Sequence, residues 1–195
     1  MKRALPLLLT VTGLIVYSGS PIAFAARSQQ GPTAHNPYCV AHAVPIGSSQ
    51  PVVMRCFRTF AASIRAATGG LVRLPASARP GSVTPDQINR RVEAAQSPTA
   101  TYVIGIDFEN VNFGGQSATF IESSKCGNYE ISSMPTGWND IVSSVSTASG
   151  CATTLWQNVD FSGTTFNVGK NGTASSMGSF NDQASSQKWC PSKPC

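Results

Sequence analysis

Histidine occurs only twice in these 195 residues, as His35 and His42, and charged side chains make up just 12% of the chain. A serine nucleophile needs a base nearby, and only His35 and His42 could serve, both in the front segment of the chain. There is no Gly-x-Ser-x-Gly elbow, no His-Glu-x-x-His, no glycine-rich phosphate loop and no EF-hand loop. The carboxylates of the second half, Asp107, Glu109, Glu122, Glu130 and Asp160 among them, show no spacing that points to a glycosidase pair. The expectation is a protein that is not an enzyme, with no catalytic residue. Beyond the first two dozen residues no apolar run is long enough to span a bilayer. Lysine is absent from residues 26–98, and that segment lacks the interleaved aromatics of a nucleic-acid face, so no nucleic-acid partner is expected.

The N-terminus reads as a signal peptide. Lys2 and Arg3 precede an apolar stretch from Ala4 to Tyr17, and Ala23-Phe24-Ala25 offers small residues where a signal peptidase reads. Cleavage after Ala25 implies a secreted, extracellular protein; a retained membrane anchor is the alternative, disfavoured by the shortness of the run. All six cysteines, Cys39, Cys56, Cys126, Cys151, Cys190 and Cys195, lie beyond that cut. An even number in an exported chain reads as disulfides. Fifteen connectivities are open, and pairing between sequence neighbours (39–56, 126–151, 190–195) is the expectation. A zinc site is the rival reading, and neither histidine has a Cys-x-x-Cys beside it.

Charge divides the remainder. Residues 26–98 hold eight arginines against Asp86 and Glu93, a balance of +6, whereas residues 99–195 hold four lysines against seven carboxylates, a balance of −3. This split predicts a leader (1–25), an Arg-rich small α+β segment (26–98) and a second unit (99–195). Residues 26–37 read as mobile. Tyr38–Ile46 and Pro51–Phe57 read as paired strands tied by Cys39 and Cys56. A helix follows Thr59, with Phe60, Ile64 and Ala67 inward and Gly69-Gly70 at its end. Leu71–Leu74 reads as a short strand. Thr84-Pro85-Asp86-Gln87 is a capping box opening a second helix with Ile88, Val92 and Ala95 inward. The segment is a free-standing module or an appendage packed on the second unit.

From Thr101 the texture becomes that of short strands separated by Gly, Asn, Asp and Ser: 102–106, 118–121, 143–145, 153–156 and 165–168. Two signals recur in order. Phe108, Phe113 and Gly115 are matched by Trp156, Phe161 and Gly163, and Asn139-Asp140-Ile141-Val142-Ser143-Ser144 is matched by Asn181-Asp182-Gln183-Ala184-Ser185-Ser186. The first signal is architectural: rings to pack beneath a folded hairpin and a glycine for positive φ. The second offers carboxylate, amide, hydroxyl and carbonyl oxygens, the donor set of a hard cation such as calcium; the bland alternative is a pair of turns bonding their own backbone. A duplicated unit of this kind implies an all-β protein of two Greek-key motifs.

On these motifs residues 101–189 resemble a βγ-crystallin domain of the microbial, calcium-binding kind. That resemblance implies a sandwich with two ions, each shared between one loop and the other motif's first hairpin. It implies a carbonyl from Asp140 and Asp182, a hydroxyl from Ser143 and Ser185, and hairpin carbonyls near Val111 and Val159. Asn139 and Asn181 open the two loops. The third position commonly donates a side-chain oxygen across to the partner ion; Gln183 can do so and Ile141 cannot, so two unequal sites are expected. The exported, cysteine-tied plan is also similar to small secreted actinobacterial proteins, among them a Streptomyces metalloproteinase inhibitor and a killer-toxin-like protein of the same fold. The expected function is a calcium-binding structural or stress-related module, monomeric, with Ca2+ as its partner. Alternatives are a protease inhibitor presenting Ser124–Tyr129 or the Cys190–Cys195 tail to a secreted protease, and an antimicrobial or toxin-like factor acting on a cell envelope through the arginines.

Overall fold

The computed structural model describes residues 32–34, 36–192 and 195. The predicted leader, His35 and the tip of the C-terminal bridged loop lie outside the described residues.

The second half builds two interlocked four-strand units. The first comprises β4 (Tyr102–Asn110), β5 (Gly114–Glu122), β6 (Tyr129–Ile131) and β7 (Ser144–Thr147). The second comprises β8 (Ala152–Asn158), β9 (Ser162–Val168), β10 (Thr173–Ala174) and β11 (Ser186–Cys190). In each unit the third strand leaves its own sheet: β6 pairs with β11, and β10 pairs with β7. This reciprocal exchange gives two Greek keys that share both layers of a sandwich. β6 and β10 are three and two residues long, too short for any alternation, which is why they escaped the sequence reading; the five-residue β11 was missed as well.

The Arg-rich segment supplies β1 (Tyr38–His42), β2 (Val44–Pro45), β3 (Met54–Phe57), α1 (Phe60–Ala67) and α2 (Pro85–Ala94). Its strands extend both sheets. β1 runs parallel to β5 and antiparallel to β3, whereas β2 pairs with β6. The predicted single strand 38–46 therefore splits at Ala43, where the chain crosses from one sheet to the other. Of the two arrangements open for this segment, its described part takes the second: it packs onto the Greek-key sandwich and shares a sheet with it.

Two cores result. Cys39, Ala41 and Met54 join Ile104, Phe120, Trp138, Leu155 and Trp189 between the sheets. On the outer face of the first sheet, Phe60, Ile64, Ile88 and Val92 of the helices pack on Val40, Val103, Ile106, Phe108 and Ile121. Because β4 is buried on both faces, it reads as a continuous apolar run rather than an alternating one. A segment too small for a core of its own uses the sheet as its floor.

Both helices start as their sequences require. Thr59 accepts from Ala62 N at 3.1 Å. Thr84 and Gln87 form the reciprocal capping box, at 2.9 and 3.2 Å; a cap of this kind contributes about 1 kcal/mol. Two expectations are corrected. Leu71–Leu74 pairs with no strand; it is an irregular connection whose Val72 is buried in the outer core. Ala95 is exposed, because α2 ends at Ala94 and Ala95 already serves as its C-cap. Asn89 locks α2 to β4: its amide donates to Val103 O at 2.7 Å and accepts from Val103 N at 2.9 Å, at the bulge between Val103 and Gly105. The three disulfides join Cys39–Cys56, Cys126–Cys151 and Cys190–Cys195, the pairing expected.

Candidate metal centre

Each hairpin between the first two strands of a unit folds back on itself through left-handed residues, Asn112 and Phe113 in one, Asp160 and Phe161 in the other, all with φ between 53° and 61°. Side chains disfavour this region by about 1 kcal/mol or more per residue. The sixth position of each polar loop offsets that cost. Ser144 Oγ donates to Asn110 O at 2.6 Å and accepts from Phe113 N at 3.0 Å. Ser186 Oγ repeats this with Asn158 O at 2.7 Å and Phe161 N at 3.1 Å. The rings meet edge to face, Phe108–Phe113 and Trp156–Phe161 both at 5.4 Å. Gly115 and Gly163 take φ of 75° and 83°. A Cβ at Gly115 would lie 2.7 Å from Glu109 Oε2, and one at Gly163 would lie 2.8 Å from Asn158 Nδ2. The ring-and-glycine signal is therefore architecture, as read from the sequence.

These corners bring the two polar loops against one another. Asp140 N donates to Ala184 O and Asp182 N to Val142 O, both at 3.0 Å. Asp140 and Asp182 are themselves left-handed, at φ 57° and 58°. Ser143 N donates to Phe108 O and Ser185 N to Trp156 O, both at 2.9 Å, which seats each loop on its own hairpin. Side chains then cross between loops. Ser143 Oγ donates to Asp182 Oδ1 at 2.7 Å, and Ser185 Oγ to Asp140 Oδ1 at 3.2 Å. A hydroxyl from one motif thus faces a carboxylate from the other, twice.

Around the first of these pairs lies a hollow of ≈ 570 Å³, lined by Glu109, Asn110, Val111, Asp140, Ile141, Ser143, Asn181 and Asp182. It has three carboxylates and no basic side chain, so its field favours cations. Among the described residues no three His, Cys, Asp or Glu side chains converge as a metal cluster. Any ion here would be completed by hydroxyl and carbonyl oxygens, a donor set that fits calcium, with its about six to eight irregular oxygen ligands, and not a soft metal.

The predicted residues divide accordingly. Val111, Ser143 and Asp182 come together, with Asp140 and Asn181 in the same lining. Asn181 Oδ1 accepts from Met177 N at 2.8 Å and so caps its own turn. Asn139 Nδ2 donates to Asp140 Oδ2 at 2.5 Å on the surface. The oxygen crossing between loops comes from the second position, whereas Gln183 Nε2 bonds Ser179 O at 2.5 Å within its own turn. Ile141 packs against the inter-sheet core. Val159 is exposed, and its carbonyl accepts from Ser162 Oγ at 3.1 Å; the first hairpin has Gly114 at that place, with no hydroxyl to offer. Sequence reasoning missed Glu109 in the lining. Its carboxylate accepts from Gln116 N at 3.0 Å and Gln116 Nε2 at 3.3 Å. Its counterpart after Trp156 is Gln157, the one signal that set it apart.

No protein-family model and no curated protein matches the chain. Solved structures are similar to it. A βγ-crystallin from an archaeon is 26% identical, over 44% of this chain and 95% of that one, with a TM-score of 0.35. One from Ciona intestinalis is 30% identical, over 43% and 94%, with a TM-score of 0.34. A βγ-crystallin domain from Clostridium beijerinckii is 25% identical, over 46% and 99%, with a TM-score of 0.36. The strand order itself, with third strands exchanged between sheets, defines the class: a βγ-crystallin-like sandwich of two Greek keys, preceded by a small α+β segment.

Proposed function

We propose that this is an exported calcium-binding protein of the βγ-crystallin type, in which the ion stabilises the fold and no side chain performs catalysis. The observation that carries this reading is the reciprocal pairing of Ser143 with Asp182 and of Ser185 with Asp140. In both pairs an oxygen donor set is assembled from two loops that are remote in sequence, so an ion bound there would cross-link the two motifs. Three disulfides with no free cysteine among the described residues fit an oxidising compartment, and among those residues no helix is long and apolar enough to cross a membrane.

Two unequal sites are part of the proposal. The site of Val111, Ser143 and Asp182 is the tighter: its hydroxyl–carboxylate pair is the closer, and its hairpin has glycine where the other has Ser162. Melting curves of the full exported chain with calcium and with chelator test the reading. A site saturated to a hundredfold over its Kd adds about 2.7 kcal/mol. Coincident curves would refute calcium binding; isothermal titration showing two identical sites would refute the inequality.

A further inference from the structure

The two hairpins that carry Val111 and Val159 are equivalent within the duplicated fold but not in their surroundings. Asn112 N donates to Ser175 O at 2.7 Å, and Asp160 N to Ser132 O at 2.8 Å, so each tip is tied alike to the opposite motif. The difference comes from the Arg-rich segment. Its turn Arg79–Ser82, closed by Ser82 N to Arg79 O at 3.1 Å and Ser82 Oγ to Arg79 O at 2.6 Å, lies on the first corner. Gly81 makes that contact, with φ of 77°, and a Cβ there would stand 3.0 Å from Phe113 Cβ and 3.3 Å from Phe113 O. Phe113 packs against the outer core, the same cluster that contains Val83 and Phe60. In the second hairpin the corresponding ring, Phe161, faces Lys188 Nζ at 3.9 Å instead.

We propose that residues 79–83 are a built-in brace that holds the first hairpin, and with it the Val111 carbonyl, in the geometry that a cation at Ser143 and Asp182 requires. Gly81 is the positioning residue of that brace. The inference rests on the calcium reading above and deepens it. Pre-organising one oxygen donor lowers the ordering cost of binding at that site alone. By reciprocity the bound ion tightens the contact between the Arg-rich segment and the sandwich, so calcium state is communicated to the arginine-bearing surface.

The test uses the full exported chain and calcium chloride. Gly81→Val is titrated calorimetrically in two backgrounds, Ser185→Ala to report the first site and Ser143→Ala to report the second. The expected result is about tenfold weaker binding at the first site, with the second unchanged. That unchanged second site also shows that the variant folds; if it does not, Gly81→Ala takes its place. Hydrogen exchange needs no change at Gly81: calcium should slow exchange of residues 79–83 in the unaltered chain and in Ser185→Ala, but not in Ser143→Ala. Equal affinities with and without the Gly81 change, equal weakening at both sites, or calcium-independent exchange at 79–83 would overturn the brace alone. An unaltered chain that takes up no calcium would overturn the calcium reading and the brace with it.

Discussion

Gln187 donates from Nε2 to Asp107 Oδ1 at 3.3 Å across the interior of the sandwich, and both side chains are fully buried. One residue before the corner ring, Asp107 occupies in the first motif the place that Leu155 occupies in the second. Counted from the polar loops, Gln187 corresponds in the same way to Val145. The duplicated fold thus contains its own control: a polar pair at one location, an apolar pair at the equivalent one. Asp107 Oδ2 and Gln187 Oε1 have no hydrogen-bond partner. A proton on Asp107 would supply the donor that joins them.

Burial raises the Asp107 carboxyl from its usual 3.8 to about 7, with the Gln187 hydrogen bond opposing the rise. A native pKa above the unfolded one means that the native state holds the proton longer. The associated stability is fully present below about pH 4 and is lost as pH rises to about 7, up to about 4 kcal/mol in all. Glu122, also raised to about 7 by desolvation, acts in the same direction. Calorimetric melting between pH 4 and 8 should show a falling Tm. Asp107→Asn should flatten most of the slope, and an unchanged slope would refute the assignment.

The internal control suggests a second experiment. Gln187→Val alone strands a buried carboxyl and should lower stability by about 1–3 kcal/mol. Asp107→Leu combined with Gln187→Val copies the other motif and should be at least as stable as the native protein. Urea unfolding of both variants decides this; a double variant weaker than the single one would count against it.

The two cross-loop carboxylates should not be equivalent. Asp182→Asn removes the acceptor of the shorter pair, beside the Val111 hairpin, and should reduce the calcium-induced rise in Tm more than Asp140→Asn does. Equal losses would contradict the assignment of the tighter site.

Truncation to residues 99–195 should fail as a folded unit. It uncovers Val103, Ile106, Phe108 and Ile121 on the outer face and leaves β5 without its neighbour β1. An apolar face beside an open strand edge associates. Gel filtration should show aggregation, and a monomer melting at the native Tm would overturn the prediction.

Much of this fold was legible from local signals. Thr84 to Gln87 announced a capping box because every partner lies within one turn. The duplicated rings, glycines and Asn-Asp-x-x-Ser-Ser loops announced two Greek keys because each corner needs the same left-handed backbone and the same serine clamp. Glu109 drew no attention, since its place in the hollow depends on a hairpin folding over it, and Leu71–Leu74 passed for a strand because apolar residues in a row do not reveal whether an edge is free to pair.

By itself the sequence determined the helix starts, the corner chemistry, the oxygen-rich loops and the parity of the cysteines, all set by interactions between residues close along the chain. Only the tertiary structure decided that the third strands change sheets, that the Arg-rich segment shares the first sheet, that Asp140 and Asp182 reach across to the opposite serine, and that Asp107 is buried against Gln187. Those features join residues tens of positions apart. They are selected by the joint burial of two sheet faces and the need to partner polar groups left between them, which no local window of sequence contains.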